Sequence, residues 1–262
     1  MAFRTDGSSH RDGIKSEDKN KKLMQMDAAK ASAICGAPLG DGYEVENRGG
    51  TQHKEDLVVR DSNRETKISH KRKKNISTGS YDWLNTSGHK KLEGLKQLRN
   101  SLRETQPSVA AARRQYNEAC RNVIDSLSSE DIITIIKEGV VDPYGQIDRI
   151  SIEAEAGKTI YSFGAKDVPF FGAVQTEGIR AELHGRGRTS RMVRFIDKKG
   201  DPLPDFGLRI RVTSNNGIKA MLGVNPKGKN NSSSPVFKIQ QDKVHKMIQT
   251  IEAAGKLTKT RI

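Results

Sequence analysis

Arg186, Arg188 and Arg191 fall within the stretch HGRGRTSR, with no acid among them. A guanidinium carries a fixed fork of donors that grips two phosphate oxygens at once, which an ammonium does not. Strand-like segments on either side add Arg180, Arg194, Arg209 and Arg211. In GLRIRVT, Leu208, Ile210 and Val212 alternate with Arg209 and Arg211, which sets two arginines on one face and three aliphatics on the other. These seven arginines read as one surface for phosphate, and so for single-stranded nucleic acid bound without sequence preference. Few aromatics lie among them, so base stacking is a minor contribution.

Other chemistries find little in the sequence. The six histidines, at 10, 53, 70, 89, 184 and 245, show no metal-ligand spacing. There is no H-E-x-x-H, G-x-S-x-G or phosphate-binding P-loop pattern. Asp197, Asp201 and Asp205 lie around a Pro/Gly turn, where aspartate serves the turn itself. Cys35 and Cys120 are far apart, which argues against a disulfide framework or a cysteine zinc site and for a reducing compartment. The expectation is a protein that is not an enzyme and carries no cofactor or metal.

Charge points the same way. The chain of 262 residues has a net charge of +14. Residues 1–179 hold 28 Lys and Arg against 26 Asp and Glu, whereas residues 180–262 hold 18 against 6. An excess gathered on one third of a chain attracts polyanions. A second basic run, Lys71, Arg72, Lys73 and Lys74, reads as a nuclear import signal or a further nucleic-acid patch. No apolar run is long enough to span a bilayer, and the first residues lack the apolar core of a secretory signal.

The elements that must carry these residues follow from periodicity. Over residues 1–80 apolar residues come mostly singly among Gly, Ser, Asn, Asp and Lys, which predicts a long disordered tail. Over 81–140, Leu92, Leu95, Leu98 and Leu102 make one helical stripe, and Val109, Ala112, Tyr116, Cys120, Val123 and Leu127 make a second. SSEDIITIIKEG makes a third helix, capped by Ser128 or Ser129. Over 141–262 the period becomes that of strands, in QIDRISIEA, KTIYSFG, FFGAVQTEGIRAEL, RMVRFID, GLRIRVT and IKAMLGV, before a closing helix in DKVHKMIQTIEAAGK. The fold class expected is α+β, with an antiparallel core, a helical segment packed on it and the tail in front.

Gly172, Ala173 and Val174 open one of these expected strands, and Asp197 ends the strand after the basic loop. Gly217 precedes a further strand that runs into a turn at Pro226, and a helix follows. This ordered set, over roughly residues 145–262, resembles the core of the thirty-kilodalton superfamily of plant-virus movement proteins. The resemblance implies a jelly-roll-like β-sandwich with flanking helices. It also implies carriage of viral nucleic acid or nucleocapsid between cells through plasmodesmata, with host plasmodesmal and membrane partners, self-association, and location at cell junctions and in the cytoplasm. Phe170 and Phe171 depart from the family pattern, which has an aliphatic residue before the glycine. Two other readings fit a basic chain of this kind: a viral matrix or nucleocapsid-associated protein, and a nuclear RNA-binding protein using residues 71–74 for import.

Overall fold

The computed structural model describes residues 8–48, 55–72, 82–85, 90–137, 147–185, 190–211, 215–224, 236–239 and 241–262. Helix and sheet are mixed throughout. The chain divides into two compact units whose segments alternate along the sequence: Ser8–Ser80, Val141–Gln175 and Gln241–Ile262 form one, and Met1–Gly7, Tyr81–Val140 and Thr176–Gln240 form the other. This differs from the consecutive division expected, because pairing between distant strands, not position in the sequence, sets the boundaries.

The first unit is built on a mixed sheet. Its strands are β1 (Glu44–Asn47), β2 (Leu57–Arg60), β3 (Glu65–Arg72), β5 (Arg149–Ala154), β6 (Thr159–Gly164) and β11 (Thr258–Arg261), side by side in that order. All neighbours are antiparallel except β3 and β5. A parallel pair cannot be closed by a hairpin and needs a long crossover. Here the crossover includes the segment Tyr81–Val140 of the other unit.

Helix α1 (Ser8–Met26) packs on β1 and β3, and α2 (Ala28–Cys35) packs on β6 and β11. Asp27 caps α2 by accepting from the Lys30 N–H at 3.0 Å. Gly36 ends α2 at φ 74°, a conformation that favours glycine, and a Cβ there would stand 2.5 Å from the Arg149 guanidinium. Met24, Ala31, Ile34, Val45, Leu57, Val59, Ile68 and Ile160 form the core between helices and sheet.

Around most of these residues the chain is rich in polar side chains, which is why residues 1–80 read as a tail. The described part of that segment is instead two helices and three strands around buried aliphatics. The disordered-tail expectation is corrected for residues 8–48 and 55–72. Single apolar residues suffice when a distant strand, here β6 through Ile160, closes over them.

The second unit carries an antiparallel sheet. The strands are β4 (Asp82–Asn85), β10 (Val236–Ile239), β9 (Leu208–Arg211), β8 (Ser190–Ile196) and β7 (Arg180–His184), in that order across the sheet. Helices α3 (Glu93–Thr105) and α4 (Val109–Asp125) pack together, α4 meets α7 (Asn215–Met221), and α5 (Ser129–Ile136) lies on β7. Ser128 and Asp131 form a reciprocal cap that starts α5. The adjoining Ser129 Oγ accepts from the Ala181 N–H at 2.7 Å, which ties the start of α5 to β7. Leu95, Leu102, Ala112, Tyr116 and Cys120, from the expected stripes, are buried.

Three elements differ from the sequence reading. Gly172, Ala173 and Val174 do not open a strand: they lie in α6 (Pro169–Gln175), which Pro169 begins and which buries Phe170, Phe171, Ala173 and Val174. A short apolar run fits a buried helix turn as well as a strand. Gly217 likewise lies within α7, where Ile218, Met221 and Leu222 are buried at helical spacing. The closing helix, α8 (Gln241–Ala253), is followed by an edge strand, β11, that pairs with β6. No described helix is long and apolar enough to cross a membrane.

Candidate nucleic-acid interface

Strand register decides which arginines stand together. Glu182 pairs with Arg194 across β7 and β8, while Met192 pairs with Arg209 and Ser190 with Arg211 across β8 and β9. Directly opposed residues share a face, and so do residues two apart. Arg180, Arg194, Arg209 and Arg211 therefore belong to one face of the antiparallel sheet. Arg180 and Arg194 are exposed, and Arg209 and Arg211 are half-buried. In the register, Lys238 of β10 stands opposite Arg209. Glu182 is the acid of this face on β7. The other face buries Ala181, Val193, Phe195, Leu208 and Ile210.

Arg191 lies on that other face. It lies three positions from Arg194, and an odd step along a strand reverses the side-chain direction. Its guanidinium grips Asp125 of α4 in a two-pronged ion pair, Nε to Oδ1 at 2.9 Å and Nη2 to Oδ2 at 2.8 Å. Arg191 is therefore tied to α4, on the face opposite Arg194. Arg186 and Arg188 lie outside the described residues.

The charge is unevenly shared. The antiparallel-sheet unit holds 23 Lys and Arg against 14 Asp and Glu, the mixed-sheet unit 23 against 18. Within the former, residues 176–240, which supply four of its five strands, hold 13 against 5. The excess thus falls on residues 176–240 and hardly on 81–140, which hold 9 against 8.

Asp197 follows β8 and organises the turn after it. Its Oδ1 accepts from the N–H groups of Lys199 at 2.8 Å and Asp201 at 2.9 Å. These donors hold its carboxyl below the usual carboxylate range. Pro226 lies outside the described residues. Lys71 and Arg72 form the end of β3, paired with Ile152 and Glu153, so this half of the basic run lies in a sheet. Lys73 and Lys74 lie outside the described residues.

A second constellation, in the mixed-sheet unit, escapes sequence reasoning. Leu57 pairs with Ile68, which brings Asp56 beside Ser69 at the mouth of the β2–β3 hairpin. The Asp56 Oδ2 accepts from three consecutive residues: the Ser69 hydroxyl at 3.3 Å, the His70 backbone N–H at 2.6 Å and the Lys71 ammonium at 3.1 Å. Both members of the ion pair reach solvent, with side chains 16% (Asp56) and 37% (Lys71) exposed. The signal is HKEDLVV followed by KISHKRKK, an acid ahead of one strand and a lysine in the next. It becomes legible only when the two runs are read as a hairpin.

Behind this pair, on the α1 side of β3, lies a buried polar network. The His70 ring contacts Ser16 Oγ through Nε2 at 2.9 Å, and Ser151 Oγ at 2.7 Å and Asn20 Nδ2 at 3.2 Å through Nδ1. Ser16 also donates to Glu153 Oε2, and the Lys19 ammonium reaches Glu153 Oε1 at 3.4 Å. The nearby His70 ring and the Ser16 hydroxyl, with the charge of Lys19, hold the Glu153 carboxyl down to about 2 against the cost of burial.

Serine, histidine and glutamate in one cluster evoke a hydrolase triad, but the arrangement differs from one. A triad needs the carboxylate and the nucleophile on opposite ring nitrogens. Here Ser16 and Glu153 both lie at Nε2, with Glu153 at 3.9 Å, and Ser16 is 3% exposed. Among the described residues, no group of three or more His, Cys, Asp or Glu is arranged to hold a metal ion. Against known proteins, the chain matches no family model, no curated protein and no solved structure.

Proposed function

We propose that this protein binds single-stranded nucleic acid through its phosphate backbone, without reading sequence. The observation that carries this reading is the register that gathers Arg180, Arg194, Arg209 and Arg211 on one sheet face. Arginine there contributes paired bonds to phosphate and the release of condensed counterions, neither of which depends on base identity. Carriage of a viral genome between plant cells, implied by the sequence resemblance, would use the same surface. The jelly-roll sandwich, the finer part of that resemblance, draws no support from two sheets that each pack on helices of their own unit.

The test is a titration of labelled single strands of two unrelated sequences at several salt concentrations. Replacing Arg180 and Arg194, both exposed, by Ala should weaken binding to both strands alike. The slope of log affinity against log salt should flatten by about 1.4, at roughly 0.7 for each phosphate no longer neutralised. An unchanged slope removes this face from the interface, and a loss confined to one sequence indicates base readout.

The Asp56–Lys71 pair favours a second reading, in which the same protein hydrolyses phosphodiesters. A Mg²⁺ ion is commonly held by one or two carboxylates together with the substrate's own phosphate oxygens. Among the described residues the Asp56 Oδ1 has no hydrogen-bond donor, while Oδ2 is fixed by three. Oδ1 is thus placed to ligate a cation that arrives with phosphate, and Lys71 to stabilise charge on the phosphorane or on the attacking water. In the step, a water oxygen forms a bond to phosphorus and releases one proton to solvent, the bond to the leaving sugar oxygen breaks, and that oxygen takes up a proton from solvent. Single-stranded and duplex DNA and RNA incubated with Mg²⁺ should be cut, and Asp56→Asn should slow cutting by at least about a hundredfold. Intact strands with wild-type protein, or cutting that survives Asp56→Asn, would overturn this second reading.

A further inference from the structure

His70 is the residue that touches both polar systems of the mixed-sheet unit. Its ring lies on the α1 side of β3, locked by Ser16, Asn20 and Ser151. Its backbone N–H makes the shortest of the three bonds to Asp56 Oδ2, at 2.6 Å. Ser69 and Lys71, the neighbours on either side, supply the other two. Side chains alternate along a strand, so the ring and the Lys71 ammonium project to opposite faces. A shift or twist of β3 at His70 therefore moves all three donors of Asp56 together.

The ring has little freedom to permit such a shift. Its side chain is 1% exposed, and Ser16, Ser151 and Glu153 around it are likewise buried. Two of its partners, Ser16 and Asn20, sit one turn apart on α1, so they present one face of that helix to the ring. A buried polar network tolerates few alternative arrangements, because each displaced group loses a partner that water cannot replace.

We propose that His70 is a positioning residue, through which α1 fixes the geometry of the Asp56–Lys71 pair on the opposite face of β3. Its consequence for catalysis rests on the hydrolytic reading above; the mechanical link does not. Ser16 is the lever, since it joins α1 to both His70 and Glu153. Removal of its hydroxyl leaves the ring held only through Nδ1, by Asn20 and Ser151, and loosens the strand at one residue.

The experiment uses the full chain as wild type, Ser16→Ala and Ser16→Thr. Hydrogen exchange is followed at the His70 amide and, as an internal control on the same strand, at the Lys67 amide, which donates to Asp148 Oδ2 at 2.8 Å. In Ser16→Ala the His70 amide should exchange about tenfold faster, with Lys67 unchanged and Ser16→Thr near wild type. Cleavage of a single strand in Mg²⁺ should show kcat lowered with KM kept in Ser16→Ala, and restored in Ser16→Thr. Equal exchange at His70 in all three proteins overturns the proposal, as does a rise shared by Lys67, which would mean general loosening. Faster exchange at His70 alone, with no cleavage by any protein, sustains the positioning and removes the hydrolytic reading.

Discussion

The two units use polar side chains in opposite ways. In the mixed-sheet unit, Ser16, Asn20, His70, Ser151 and Glu153 turn inward, and most of their polar atoms find partners within the network. In the antiparallel-sheet unit, Arg180, Arg194, Arg209 and Arg211 stand on one face as like charges. Glu182, opposite Arg194, is the acid that meets them on β7, and repulsion among the arginines opposes folding rather than aiding it. A buried network, by contrast, contributes stability and a defined geometry and needs no ligand to justify it. The same sheet repeats the contrast at smaller scale: Arg191 and Arg194 are three residues apart, one tied to Asp125 and the other exposed.

The largest effect expected from breaking this contrast comes from the buried side. Glu153→Ala removes the acceptor of Ser16 and the partner of Lys19, and should lower the unfolding free energy by about 3 kcal/mol in a denaturant titration. Affinity for single strands, measured well below the unfolding midpoint, should hardly change. A matched loss in both quantities would show that the two units do not divide their tasks.

A smaller effect sharpens the same point through pH. The Glu153 carboxyl is lowered from 4.5 to about 2 in the folded protein. A carboxyl lowered by folding adds stability that is complete above its unfolded value and is lost as the pH falls through the folded one. Stability should thus decline on acidification between those two values, and Glu153→Gln should reduce that decline. A wild type and a Glu153→Gln variant with parallel acid profiles would place the titrating group elsewhere.

The smallest effect separates the two faces of one sheet. Asp125 is 48% exposed in its side chain, so screening by water keeps the Arg191 pair weak. Arg191→Ala should cost less than about 1 kcal/mol of stability and leave the salt slope of binding unchanged. A flattened slope would return Arg191 to the interface.

Much of the secondary structure is legible in the chain itself. The helical stripes of α3 and α4, a serine cap of α5 at Ser128 or Ser129, and strands β5, β6, β8 and β9 follow from period and from turn residues. Alternation in GLRIRVT also separates Arg209 and Arg211 from Leu208 and Ile210 without any coordinates. Local patterns fail where they are sparse or ambiguous. Residues 8–72 lack a strong period of their own, and the apolar run around Gly172 fits helix and strand equally.

Sequence by itself determined the focused positive charge, the residue types able to grip phosphate, and the alternation that sorts arginines from aliphatics on a single strand. Only the tertiary structure decided which strands lie side by side. That choice put Arg191 against a helix, set Arg180 and Arg194 on the face of Arg209 and Arg211, and joined Asp56 to Lys71 in front of His70. The reason is physical: pattern along a chain is a property of neighbours, whereas register is fixed by the burial of residues far apart in sequence, such as Ile68 and Ile160 in one core.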